Sequence, residues 1–286
     1  MFLLDKTTTA EFYSHGFFGY GEVGDFKYGS FAHIFPILLL IAAIVLTYIF
    51  RGKIKVFKHE KSIRYILAFL LIISEMGYYW RVCYAGNQDL EPNLLTKLPI
   101  VVCTWTSIFG AFMLMSENDS LFDYVAYVSL TLGLLPLATP AVLVKTGPRY
   151  FRYYQYWIEH LIPVYGSLYM IFIKDKKIKL KSIWKPFVIL GPGMALAIYF
   201  NSKIEGADFF FLANNTEGSS LASILPNNMA LKVIIYTATG ITLFLLEYLV
   251  YYLIIHFVTK YREKKNNNEI KEEYFVKEEV KETSTI

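Results

Sequence analysis

The chain has 286 residues, of which 55% are hydrophobic, 17% aromatic and only 18% charged, with a net charge of +4. Soluble domains carry about a quarter charged residues, so this balance, with a mean hydropathy of +0.38, excludes a disordered chain and a nucleic-acid-binding domain. The two cysteines, Cys83 and Cys103, allow at most one disulfide, which excludes a disulfide-framed secreted module.

Charge is gathered into short runs, and the stretches between them approach the roughly 20 apolar residues that cross a bilayer. The expected fold is an all-α, polytopic membrane protein, a bundle of seven transmembrane helices. Residues 1–30 form an outer N-terminal segment, 31–258 the seven-helix membrane domain, and 259–286 a charged cytoplasmic tail. The seven spans are read at 31–50, 63–84, 98–115, 121–144, 156–173, 183–200 and 229–258. The first follows 30 residues that lack the basic start and small-residue cleavage site of a secretory signal. The last is longer than a bilayer needs, so it tilts or extends past one interface.

Lys and Arg set the orientation. Arg51, Lys53, Lys55, Lys58, Lys61 and Arg64 follow span one. Lys174, Lys176, Lys177, Lys179, Lys181 and Lys185 follow span five, and Lys260, Arg262, Lys264 and Lys265 follow span seven. These outnumber the basic residues of the other side, so the N-terminus is expected outside and the C-terminus in the cytoplasm. Two loops dissent: acidic Glu117, Asp119 and Asp123 fall inside, and basic Lys145, Arg149 and Arg152 outside. The connection 201–228 is the longest between spans, and Phe209-Phe210-Phe211-Leu212 suits a short interfacial or re-entrant element better than an exposed loop. The tail has too little apolar surface to offset chain ordering and reads as a mobile extension.

Polar residues at membrane depth are functional candidates. With about 1.5 Å per helical residue, Cys103 is expected roughly 8 Å below the outer end of span three. His160 is expected roughly 6 Å below the outer end of span five. His33, Arg81, Cys83 and Thr139 fall near the outer ends of their spans, with Glu75 deeper. The inner half holds mainly Glu247 and His256. A reactive cavity in the outer leaflet is therefore expected. Each candidate has a plainer reading: Cys103 as a small packing residue, His33 and His160 as hydrogen bonds between helices, and the Tyr/Trp clusters as interfacial belts. A disulfide between Cys83 and Cys103 is conceivable, and Glu159 is expected to face the headgroups.

The sharper reading joins Cys103 to His160. A thiol becomes a nucleophile when an adjacent base favours its thiolate, and a carboxylate such as Glu75 or Asp208 would orient the imidazole. Such a dyad would take a fatty acyl chain as a thioester. A dry pocket would then favour its transfer to an alcohol or amine over hydrolysis.

These residues carry a resemblance. Leu98-Pro99-Ile100-Val101-Val102-Cys103 resembles the Leu-Pro-x-His-x-Cys start of the third span in the YwaF/transmembrane protein 164 family. Ala138-Thr139-Pro140 and Tyr156-Trp157-Ile158-Glu159-His160 are similar to that family's small-Thr-Pro end of span four and its aromatic, His-bearing helix. Asp208-Phe209-Phe210-Phe211-Leu212, then Glu217-Gly218-Ser219-Ser220-Leu221, resemble its stretch before the final span. The resemblance implies a seven-helix membrane fold and, in the family's animal members, Cys-dependent acyl transfer among phospholipids; carried onto this chain, Cys103 is the implied nucleophile and His160 the implied base. Val101 stands where the family pattern has His, and Asp208 where it has Asn; His33 is a candidate substitute for the missing His.

The reading is then an acyltransferase or transacylase of the cell membrane. It would move an acyl chain from a phospholipid donor to a lysolipid or lipoprotein acceptor at the outer leaflet. Cys103 and His160 would be catalytic, Glu75, Asp208, His33, Arg81 and Thr139 supporting, and Lys145, Arg149 and Arg152 would hold a lipid phosphate. No cofactor, metal or nucleic acid is expected. A lipid hydrolase, a small-molecule transporter or its substrate-binding subunit, and a non-catalytic scaffold are the competing readings.

Overall fold

The computed structural model describes residues 16–19, 26–83, 94–140, 143, 146–213, 226 and 228–283, with residue 94 and those from 262 onward as backbone. Among them every element is helical: α1 (Phe31–Lys55), α2 (Glu60–Val82), α3 (Val102–Ser116), α4 (Asp119–Leu130), α5 (Leu134–Ala138), α6 (Phe151–Ile173), α7 (Lys185–Asn201) and α8 (Met229–Thr283). Among the described residues five stretches are long and apolar enough to cross a membrane: Phe31–Lys55, Glu60–Val82, Asp119–Ala138, Leu180–Asn201 and Met229–Tyr261. This is the helical bundle of a membrane protein, and each of the seven expected spans overlaps a helix.

Burial explains the pattern. In α1 only His33, Pro36, Leu40 and Thr47 are buried, one stripe at helical spacing, while Leu38, Leu39, Ile41 and Leu46 are exposed. That is how a helix looks when one face meets protein and the rest meets lipid. The apolar part of α8 is exposed likewise, touching the bundle where Phe244 meets Tyr127 of α4 and Phe187 of α7. α6 is the opposite case. It packs against α1, α2, α3, α4 and α5 and buries Gln155, Glu159, His160 and Ser167 together with its apolar residues. A central helix can carry polar groups because neighbouring helices, and not lipid, satisfy them.

The element limits differ from expectation in two places that matter. The third span was expected from residue 98, but α3 begins at Val102, after a 3-10 turn at Leu94–Lys97 and an extended Val101 (φ −140°, ψ 146°). Pro99 disfavours a helical conformation at Leu98, so the span cannot start as a helix where it was expected. The fourth span is interrupted at residues 131–133, between α4 and α5, and stops before Pro140.

Contacts fix the register of α3 on α6. The Ser107 hydroxyl donates to the Glu159 carbonyl at 3.2 Å, Gly110 lies against Pro163, and Leu114 against Gly166. The pairs advance together, so the two helices run in the same direction with a constant offset. That is the geometry required when one crossing, α4 with α5, lies between them.

Ion pairs account for the acidic one of the two dissenting loops. At one end Lys174 pairs with Glu117 (3.1 Å) and Glu60 (3.6 Å), Lys176 with Asp119, Lys185 with Asp123 (2.5 Å) and Lys55 with Asp175 (2.6 Å). The acids that contradicted the charge rule are thus neutralised by lysines of the same end. Arg64, buried beside them, binds Glu60 (2.8 Å), Glu117 (2.6 Å) and the Leu114 carbonyl (2.5 Å).

In the connection after α7, Phe209–Phe211 form a 3-10 turn folded onto the bundle, with Phe210 against Trp105 at 6.1 Å between ring centroids. Residues 217–221, part of the resemblance, lie outside the described residues. α8 runs on unbroken to Thr283; the Glu- and Lys-rich sequence there is rich in good helix formers.

Candidate functional site

The site is built where α2, α3 and α6 meet. Cys103 is the second residue of α3, half-buried, at a helix start that no side chain caps. The first amides of a helix lack intrahelical partners and carry partial positive charge, which favours an anion such as a thiolate. Cys103 and Cys83 are both free thiols, so no disulfide joins them.

Next to Cys103, Thr104 reaches Glu75 of α2 and, one turn on, Ser107 reaches the Glu159 carbonyl of α6, so polar groups of three helices gather at this end of α3. Arg152, Gln155 and Glu159 lie on one face of α6 at spacings of three and four residues. Gln155 Nε2 donates to Glu159 Oε2 at 2.7 Å, Arg152 stands 3.8 Å from the same oxygen and also bonds Gln155 Oε1. The Arg152 guanidinium lies 4.8 Å from the ring centroid of Tyr78 on α2. Glu75, also on α2, accepts from the Thr104 hydroxyl at 3.4 Å. Its Oε1 is buried with no hydrogen-bond donor facing it.

His160 is buried on the neighbouring face of α6. Its Nδ1 is 2.7 Å from the Tyr156 carbonyl and its ring lies 4.3 Å from that of Tyr156. A carbonyl only accepts, so Nδ1 carries the proton and Nε2 keeps its lone pair, as a general base requires. No hydrogen bond joins Cys103 to His160 among the described residues. The register of the two helices explains it: Cys103 is level with Gln155 and Tyr156, which places His160 about one helical turn, roughly 5–7 Å, further in. The expectation of nearly equal depths rested on the late start of α3 and the early start of α6 being overlooked.

The remaining candidates are dispersed. His33 accepts from the Gly29 amide at 3.0 Å and donates to the Leu137 carbonyl at 2.9 Å, so both ring nitrogens are committed to joining α1 and α5. It is not placed to replace the histidine missing at Val101. Arg81 is buried and holds the Gly19 carbonyl (3.1 and 3.3 Å), securing the N-terminal turn against α2. Thr139 is exposed and bonds back to the Leu135 carbonyl. Asp208 accepts from the Ala213 amide at 2.8 Å beyond α7, and burial raises its carboxyl above the ordinary carboxylate range. Of the three basic residues considered for lipid phosphate, Arg149 is exposed, Arg152 turns inward to Glu159, and Lys145 lies outside the described residues.

Glu159 is what sequence reasoning missed. Beside His160 near a span end, it was assigned to the headgroups, yet only 6% of it is exposed. The signal was its alignment with Gln155 and Arg152, which would have placed a cation and an amide donor alongside it.

An open cleft of about 380 Å³ lies between the end of α2 and the approach to α3, lined by Tyr79, Val82, Cys83, Lys97, Leu98 and Pro99. Its walls are largely apolar, and it opens beside the start of the helix that carries Cys103.

Comparison with protein families matches residues 28–251 to the TMEM164 family, a stretch that takes in every residue of the cluster. No match was found among curated proteins or among solved structures. The match spans most of the chain, and with the five apolar helices it leads to one conclusion: the protein is a membrane protein of the TMEM164 family.

Proposed function

We propose that this protein is a multi-pass enzyme of the cell membrane that moves fatty acyl chains through a thioester on Cys103. In this reading seven spans run from an outside N-terminus to a cytoplasmic C-terminus, with the uncapped start of α3 in the outer half of the membrane. The pairing of the dissenting acids with lysines of their own end supports this orientation. The observation that carries the reading is the position of Cys103 at that uncapped helix start, in a buried polar cluster beside an apolar cleft.

The chemistry follows from these groups. Cys103 Sγ attacks the ester carbonyl of a phospholipid, and its proton passes to His160 Nε2. The first amides of α3 stabilise the negative charge that develops on the carbonyl oxygen. As the C–S bond forms and the ester C–O bond breaks, the lysophospholipid leaves with the proton from His160. A single water held between α3 and α6 carries the proton across the one-turn offset. The hydroxyl of a lysolipid, or the amine of a lipoprotein acceptor, then attacks the thioester and releases the thiol.

The test is acyl exchange in proteoliposomes, with a deuterated acyl chain on the donor phospholipid and a lysolipid as acceptor. Labelled chain should appear on the acceptor, disappear with Cys103→Ala and His160→Ala, and persist with Cys83→Ala. Full exchange in both variants would overturn the mechanism, and free fatty acid in place of acylated acceptor would make the protein a hydrolase.

A further inference from the structure

Residues 208–212 carry part of the family resemblance, yet none of them enters the chemistry proposed above. Their backbone is strained: Phe210 and Phe211 both take the left-handed conformation, at φ 57° and 54°. Residues with side chains rarely adopt it, and two in succession persist only where the surroundings fix them. Side chains from two helices do so here. Asn201, the last residue of α7, donates to the Phe209 carbonyl (3.0 Å) and accepts from the Phe209 amide (2.8 Å). From α8, the Tyr236 hydroxyl donates to the Phe211 carbonyl (3.2 Å) and Lys232 Nζ to the Ala213 carbonyl (2.8 Å).

The turn presents Phe210, which is buried against Trp105 of α3. Gly193 of α7 adjoins the same indole. A Cβ there would lie 2.4 and 2.5 Å from two atoms of its six-membered ring, and 2.9 Å from Phe210 Cζ. The Trp105 ring is thus confined by α7 and by the strained turn together. Its Nε1 donates to the Pro99 carbonyl at 2.6 Å, reaching back past the extended Val101, and its backbone amide donates to the Val101 carbonyl at 3.3 Å. Cys103 lies between these two anchors and Trp105. No side chain caps the start of α3, so the clasp takes over the task of ordering it.

We infer that Trp105, seated by Phe210 and Gly193, is a positioning residue for Cys103: its indole clasps the approach to α3 and fixes the direction in which the thiol and the first amides of that helix point. The use made of the thiol and amides rests on the acyl transfer proposed above; the clasp itself does not.

The experiment measures the rate at which iodoacetamide alkylates Cys103 in full-length protein in detergent, with Cys83→Ser leaving one thiol. Each variant is compared at one pH, well below its unfolding temperature. Trp105→Phe keeps an aromatic ring against Phe210 and removes the N–H. Gly193→Ala keeps the N–H and displaces the ring by about 1 Å. Both should slow alkylation about tenfold, since a misplacement of about 1 Å at a reacting group costs up to about 100-fold. Phe210→Ala should act in the same direction, and Phe210→Leu, which restores an apolar side chain against the indole, should recover most of the rate. Rates in Trp105→Phe and Gly193→Ala that equal or exceed the parent's would overturn the inference. In acyl exchange the same two variants should lower kcat and leave KM for the lysolipid unchanged, because the clasp touches no substrate. A raised KM at unchanged kcat would also overturn it. Exchange that survives Cys103→Ala would remove the acyl-transfer reading, and the alkylation result would stand apart from it.

Discussion

Gly77 offers a sharp test of how α2 sits on α6. A Cβ added there would lie 2.5 Å from Phe151 Cζ, and 3.2 and 3.3 Å from the two Cε atoms. Carbon atoms rest about 3.5–4.0 Å apart, so Gly77→Ala demands a displacement of about 1 Å. Phe151 is the first residue of α6 and half-buried, packed against Phe17 and Phe18, so its ring can yield before the helices do. The cost then falls in the lower part of the overpacking range, about 1–2 kcal/mol. Gly77 follows Glu75 by two residues, and Phe151 precedes Arg152. Movement of the helices themselves would pull Glu75 away from Thr104, beside Cys103, and displacements of about 1 Å at a reacting centre can cost 100-fold in rate. The assay is equilibrium unfolding in detergent of Gly77→Ala, Phe151→Ala and the double variant. The loss caused by Gly77→Ala should largely vanish in the Phe151→Ala background, a coupling that neighbouring residues show. An unchanged stability, or an equal loss in both backgrounds, would refute the packing argument.

Arg64→Met should cost about 3 kcal/mol, because it leaves the buried Glu60 with only Lys174 at 3.6 Å and Tyr169 at 3.1 Å; denaturant titration would register it, and a loss within error would mean that the ion cluster is not structural. Asp208 gives a pH dependence. Its carboxyl is raised by burial against the opposing pull of the Ala213 amide and Lys232. The folded chain thus holds that proton more tightly than the unfolded chain. The resulting stability is complete below the unfolded value and is lost as pH rises through the folded one. Asp208→Asn keeps the acceptor for Ala213, so in thermal unfolding across that window the parent should lose ground to the variant as pH rises. A difference that stays constant or runs the other way contradicts the assignment.

Sequence patterning carried the membrane bundle well, because a stretch such as 31–50 has to be apolar whatever it packs against. It also located the helices that meet at the site, since Cys103 and His160 sit near identifiable span ends. What it could not give was the level of one helix against another. That depends on where Pro99 and Val101 let α3 begin and on which side chains interlock, such as Ser107 with the Glu159 carbonyl. The same gap explains His33 and Glu159. A histidine with both nitrogens committed and one available as a base look alike in a sequence. A glutamate near a span end looks lipid-facing until Gln155 and Arg152 are seen to turn inward with it.

The most direct measurement is to locate an acyl chain on the protein. Purified protein incubated with a phospholipid bearing a deuterated acyl chain, then quenched in acid and digested, should yield a peptide with the labelled chain on Cys103. The adduct should be sensitive to hydroxylamine, as a thioester is. A labelled chain found on Cys83 alone, or on no cysteine while exchange proceeds, would contradict the account.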